Sequence, residues 1–217
     1  MRSFRSEPFL WIHLAGIAVV PLSLQVVWLG LAVGNPLPFF WLELLLVAAV
    51  GIVPVFWMQW QRPFSIFSLL ILAVKPEEMM ESQRQILSLL KSNRQRFLSA
   101  IAAIVMLLAL WPLYQLAPIV VMAASIIPPF RLLGLLIASV AFLVSNLFFQ
   151  VPVSVLGVFL TSPEKSAARE PYPVAEIEKD FTLTGWRVGQ ILSENTEASN
   201  IQDQEQVIRD SAGASLG

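Results

Sequence analysis

Cysteine is absent from the 217 residues, and histidine occurs once, as His13. The first absence removes disulfides, iron–sulfur clusters, thiolate zinc sites and cysteine nucleophiles. The second removes any histidine pair able to hold a metal within one chain, and leaves His13 as the sole base for a histidine triad. Charge is scarce too: 13% of residues are Asp, Glu, Lys or Arg, against about 25% in soluble domains. A soluble fold of this size could not cover its surface with so few charges, about half of which lie after residue 160. No basic block of the kind that binds nucleic acid is present, so nucleic acid is not an expected partner. GxxxxGK[ST], GxGxxG and GxSxG are missing, and the apolar runs contain no aspartate. A non-enzyme is therefore the expectation.

What is abundant is apolar length. Phe9–Gly34, Phe97–Phe130 and Leu132–Leu160 carry no formal charge, and Leu37–Trp60 carries only Glu43. Each exceeds the roughly 20 residues that cross a bilayer as a helix, and unpaired peptide groups are costly in lipid. Arg2 and Arg5 before the first run imitate a signal peptide, but the run is longer than a signal core and more runs follow. The expected class is all-α and polytopic: a membrane domain over 1–160 with spans near 9–33, 38–60, 97–118 and 132–160. A loop over 61–96, a partly ordered juxtamembrane segment over 161–192 and a disordered tail over 193–217 complete it. The tail expectation rests on composition, because Ser, Asn, Gln, Glu and Ala cannot bury enough surface to offset ordering.

Charge sets the orientation. Residues 1–160 hold nine basic and five acidic side chains, and residues 161–217 hold five basic and ten acidic. Arg62, Lys75, Arg84, Lys91, Arg94 and Arg96 share one loop, while Arg131 stands alone on the other side. Basic residues favour the cytoplasm, which places both termini there. Within the loop, Pro63–Val74 is apolar but too short to span, and is expected at the inner surface or under the bundle. Pro76–Phe97 reads as an amphipathic helix running into the third span, with Met79, Ile86, Leu90 and Phe97 on one stripe. Its two readings are a cover for its own bundle or headgroups, and a docking helix. Pro171–Leu192, with Phe181 and Trp186, reads as a hairpin, a membrane-surface segment or a partner-binding peptide. Met79, Ile86, Leu90, Phe181 and Trp186 are thus the candidate docking residues. Residues 119–127 either dip back into the membrane or continue a tilted span.

Polar groups inside the spans are the candidate sites. Glu43 is ionisable within a span, a functional hypothesis by default. Gln25, Tyr114, Gln115 and Arg131 are at its depth and are its expected partners. It reads as a structural carboxyl, as part of a proton or ion path, or as a subunit contact. Asn146 and Gln150, one turn apart, read as interhelical hydrogen-bonding glue. His13 could ligate chlorophyll or haem; otherwise no cofactor is expected. Gly30 with Gly34, and Gly134 with Ala138, permit close helix approach. Most of the tryptophans fall near span ends, as an interfacial belt does.

The opening Met1-Arg-Ser-Phe-Arg-Ser-Glu-Pro-Phe-Leu-Trp-Ile-His-Leu-Ala-Gly16 resembles a family of cyanobacterial proteins described as low-complexity tail membrane proteins. The layout of four apolar spans, a charged middle loop and a polar tail is similar as well, over residues 1–190. The resemblance implies a cyanobacterial thylakoid or plasma membrane and brings no catalytic motif. Taken with the residues, it leads us to expect an accessory or assembly protein that binds another membrane complex, and the resemblance points to a photosynthetic or respiratory one. A small transporter or channel subunit built on Glu43 is the alternative.

Overall fold

The computed structural model describes residues 7–69, 71–161 and 169–189. Arg2, Arg5, Lys165, Ile191, Leu192 and the 193–217 tail lie outside the described residues. Four helices are long and apolar enough to cross a membrane: α1 (Pro8–Ala32), α2 (Phe40–Gln61), α4 (Asn93–Gln115) and α6 (Arg131–Phe159). The protein is a mostly helical, four-span membrane protein. Short elements complete it: β1 (Leu72–Val74), α3 (Glu81–Leu90), α5 (Val121–Ala124), α7 (Val174–Asp180) and β2 (Trp186–Val188).

Three of the spans bury one narrow stripe each and turn the rest outward, as lipid permits, while α6 is buried over a much broader face. In α2 the buried residues are Glu43, Val47, Gly51, Val55 and Gln59, and in α4 they are Gln95, Ser99, Ala102, Met106 and Leu110. These three- and four-residue steps mark one helix face. The central helix is α6, packed against α1, α2 and α4. Its contact with α1 uses both small-residue pairs. A Cβ on Gly30 would stand 2.8 Å from the Ala138 nitrogen and the Gly134 oxygen. The two motifs meet each other inside one chain. In α1, Pro21 lacks the N–H that would bond the Ile17 carbonyl, and the turn before it tightens to a 3₁₀ helix over Gly16–Ala18.

The third span ends earlier than its apolar run. After Gln115 the chain forms a 3₁₀ turn over Ala117–Val120 and the single-turn α5. Residues 119–127 therefore fold back over the end of α1 and do not prolong a tilted helix. The amphipathic segment also departs from expectation. Pro76–Glu78 is a 3₁₀ turn, and α3 begins at Glu81, where Gln83 Oε1 accepts the Met80 N–H at 3.2 Å. The helix stops at Leu90, and extended Ser92 starts α4 afresh, so it does not run on into the span. This break turns Phe97 outward, 67% exposed, off the stripe to which Met79, Ile86 and Leu90 belong.

Two apolar cores result. One lies within the spans around Val27, Val47, Leu110, Leu135 and Phe142. The other closes the end of the bundle that carries the basic loop, here called the loop face. It joins Phe9 and Leu10 of α1, Ile66 and Phe67, Ile86 and Leu90 of α3, Val155 and Val158 of α6, and Ile177 and Phe181. The apolar stretch after α2 thus packs under the bundle, with Pro63 to Ser68 all buried. The 169–189 segment forms neither a hairpin nor a free peptide. It runs beside the loop, with β2 pairing parallel to β1 in the register Leu72 with Trp186 and Val74 with Val188.

Candidate functional site

At the end of the bundle opposite the loop face, Glu43 sits in the first turn of α2 with no exposed surface. Its Oε1 accepts the Leu37 N–H at 2.7 Å and Arg131 Nε at 2.6 Å. Its Oε2 accepts the Tyr114 hydroxyl at 3.0 Å and Arg131 Nη2. Arg131 Nη1 then donates to the carbonyls of Leu31 at 2.7 Å and Val33 at 2.9 Å. Those carbonyls belong to the end of α1, where a cation suits the helix dipole, just as the carboxylate suits the start of α2. One fork-to-fork ion pair therefore ties an end of every span. Gly34, at φ +68°, lets the chain leave α1 beside it, where a Cβ would meet the Arg131 nitrogen at 3.0 Å.

Of the four partners expected for Glu43, the structure brings Tyr114 and Arg131 and not Gln25 or Gln115, both of which are exposed. Depth in the membrane chose all four; the helix face excluded two. A half-open cavity of about 710 Å³ adjoins the ion pair and is lined in part by Asn35, Tyr114, Gln115 and Arg131. Both carboxylate oxygens are already doubly engaged and the guanidinium holds four contacts. What the arrangement does chemically is hold four helix ends; a proton relay would have to break it first.

His13 occupies the opposite end. Its Nδ1 lies 2.8 Å from the Phe9 carbonyl oxygen and its Nε2 lies 3.2 Å from that of Ser68. Both nitrogens face backbone oxygens, so His13 as placed presents none to a chlorophyll or haem metal. The adjoining cavity of about 260 Å³ is apolar, below the roughly 300–1,000 Å³ of small-molecule sites. This corrects the pigment-ligand expectation. The ring instead latches α1 to the segment beneath the bundle. Among the described residues, no cluster of three His, Cys, Asp or Glu is placed to hold a metal.

The docking candidates are corrected more sharply. Met79, Ile86, Leu90 and Phe181 are 6%, 1%, 3% and 0% exposed, buried against one another in the loop-face core. Only Trp186 is open, at 82%, next to Ile71 at 73%, whose carbonyl accepts the Trp186 N–H at 2.7 Å. The acidic segment also bonds to the basic loop, with one ion pair between them among the described residues. Asp180 pairs with Lys91 at 2.8 Å and accepts the Tyr172 hydroxyl, while Arg62 donates to the Glu178 carbonyl at 2.7 Å. The Lys91 hydrogen bond, then that of Tyr172, holds the Asp180 carboxyl below its ordinary range. Burial, then the Asp180 carboxylate, pushes the Tyr172 phenol well above its own.

Asn146 and Gln150 are fully buried but do not bond across helices. Asn146 Nδ2 donates to the Phe142 carbonyl of its own helix at 2.9 Å. The interhelical bonds are made by other residues: Ser145 donates to Ser23 of α1 at 2.7 Å, and Gln95 of α4 donates to the Ser154 carbonyl at 2.9 Å. Gln59, Ser65 and Gln95 were not among the sequence candidates. The signal for two of them was available, because Gln59 and Gln95 continue the buried stripes of α2 and α4.

No curated protein and no solved structure matches the chain. A family model does, over residues 6–193, and its description is low-complexity tail membrane protein-like.

Proposed function

Since the chain belongs to the low-complexity tail membrane protein-like family, whose description gives a location and no activity, we propose that it is a non-catalytic accessory or assembly protein of a larger membrane complex. The observation that carries this reading is the exposed pair Trp186 and Ile71. They project from a two-stranded ledge whose backbone is fixed by β1–β2 pairing, beside a core in which the other docking candidates, Met79, Ile86, Leu90 and Phe181, are buried. Rigid, exposed aromatic anchors are the residues on which protein interfaces rest most heavily.

In this reading the loop face is cytoplasmic, because six basic residues gather there and Arg131 alone stands opposite. The resemblance of the opening residues supports a cyanobacterial thylakoid or plasma membrane as the location, and a photosynthetic or respiratory complex as the partner. The transporter alternative has less support, because its one ionisable residue is saturated by four contacts.

The test is purification of the tagged protein in mild detergent, with the co-purifying subunits identified. Stoichiometric subunits of one complex, lost when Trp186→Ser and Ile71→Ser are combined, are the expected result. A protein that migrates alone, or retains its subunits in the double variant, overturns the reading.

A further inference from the structure

Besides Trp28 Nε1 and Arg84 Nε, six buried side-chain polar atoms have no hydrogen-bond partner among the described residues, all in the loop-face half of the molecule. They are Gln59 Nε2, Ser65 Oγ, Gln95 Oε1, Asn146 Oδ1 and both amide atoms of Gln150. The five residues are 0–5% exposed. Buried polar groups are nearly always paired, and an unpaired one is costly. Their side-chain assignment does not remove the problem. Asn146 and Gln95 are fixed by the bonds their nitrogens donate, and exchanging the oxygen and nitrogen of Gln150 leaves both unpaired.

The five residues gather at neighbouring depths. Gln95 bonds the Ser154 carbonyl, and Ser154 Oγ bonds the Gln150 carbonyl at 3.0 Å, one turn back along α6. On α2, Gly51 faces Phe142 so closely that a Cβ would stand 2.5 Å from the nearest atom of its ring. Both helices run toward the loop face, so eight residues further on, or about 12 Å, Gln59 and Gln150 lie level. Ser65 follows just below Gln59, whose Oε1 accepts the Phe64 N–H at 3.3 Å. Toward the opposite end the row stops at Phe142, fully buried against Gly51.

We propose that this seam between α2, α4 and α6 is a binding site for a short chain of water molecules, entering from the loop face and ending at Phe142. The lining selects the occupant. It includes unpaired donors, on Gln59 and Gln150, and unpaired acceptors, on Gln95, Asn146 and Gln150, so the occupant must donate and accept. None of these side chains carries formal charge, which disfavours an ion. Phe142, packed against Gly51, closes the row at its inner end. The glutamines and the asparagine then act as a hydrated inlay reaching about the middle of α6, beyond any role in joining helices directly.

The cysteine-free sequence makes the test clean, because a single introduced thiol is the only S–H oscillator. Ser154→Cys places one on the seam. Val47→Cys places one in the dry core beyond Phe142, where Val47 is 0% exposed. Each variant, full length in bilayers, is transferred to D₂O and its S–H band followed by infrared spectroscopy. The Ser154→Cys band is expected to convert promptly to S–D, while that of Val47→Cys persists until larger openings occur. In parallel, Gln150→Leu is expected to lower Tm by roughly 2–4 °C or more, because it removes a group that the water satisfies. A Ser154 thiol as slow as that of Val47, or a raised Tm in Gln150→Leu, overturns the proposal. Should Gln150→Leu not fold, the thiol comparison alone decides.

Discussion

Replacing Arg131 by methionine keeps much of the side-chain volume and removes the four guanidinium contacts at the end of the bundle opposite the loop face. Glu43 would lose two of its four hydrogen-bond donors while remaining without exposed surface. The Leu31 and Val33 carbonyls would lose theirs as well. Breaking a buried pair from one side costs about 3–5 kcal/mol. For a chain of this size each kcal/mol moves Tm by about 2–4 °C, which gives a fall of roughly 6–20 °C. Glu43→Leu alone should do comparable damage, by leaving the guanidinium half-paired. The double variant Glu43→Leu/Arg131→Met should be less damaged than the sum of the singles, because no buried charge is stranded. It should still melt below the native protein, since the α1 carbonyls remain uncapped. Melting followed by circular dichroism in nanodiscs measures all four proteins. Additive singles, or an Arg131→Met variant within 2 °C of native on the scale just used, would refute the view that this pair holds the spans together.

Other perturbations separate the remaining elements. Asp180 has a lowered pKa, so its pairing stabilises the loop face above its ordinary titration range and is lost as pH falls through the lowered value. The phenol of Tyr172 has a raised pKa, so its contribution is present at neutral pH and lost as pH rises through that value. Hydrogen exchange of the 170–188 backbone should therefore quicken at both extremes, and Asp180→Asn should remove the acidic limb. Gly30→Ala should lower Tm more than Gly16→Ala, because the first Cβ meets backbone at 2.8 Å and the second meets the Phe148 ring at 3.2 Å. Equal losses would mean that the α1–α6 approach is not set by backbone contact. Cysteines at Asn35 and Asn93 should be labelled by impermeant reagents from opposite sides of the membrane, Asn93 from the cytoplasm. Labelling from one side would break the four-span topology.

The spans were legible because lipid imposes both length and apolar content, and uncharged runs of this size satisfy little else. Two Glu43 partners were legible from depth alone, since an ionisable group in a span needs company at its own level. Gln25 and Gln115 share that depth but point elsewhere, and helix rotation is set by packing that composition does not record. The apolar stripe of Met79, Ile86 and Leu90 was equally plain as a stripe. Its cover was not plain, because Ile177 and Phe181 arrive from far along the chain and the strands that guide them are three residues each. The opposite charges of the loop and the acidic segment were the one hint that the two would meet. Of the orphaned amides, Asn146 and Gln150 were plain in mid-span, but Gln59 and Gln95 escaped because they stand near span ends, where a glutamine is unremarkable until its face is known.

The closure of the loop face has a bearing on biogenesis. Ser68 bonds Thr184 across 116 residues of sequence, and the core containing Phe9, Ile66 and Phe67 is completed only by Ile177 and Phe181. During synthesis all four spans must emerge before those two residues do. Until then the nascent chain displays an open apolar floor at the membrane surface. Completion of that floor is therefore a molecular signature that the last span has been inserted, available to any quality-control factor that reads exposed apolar surface.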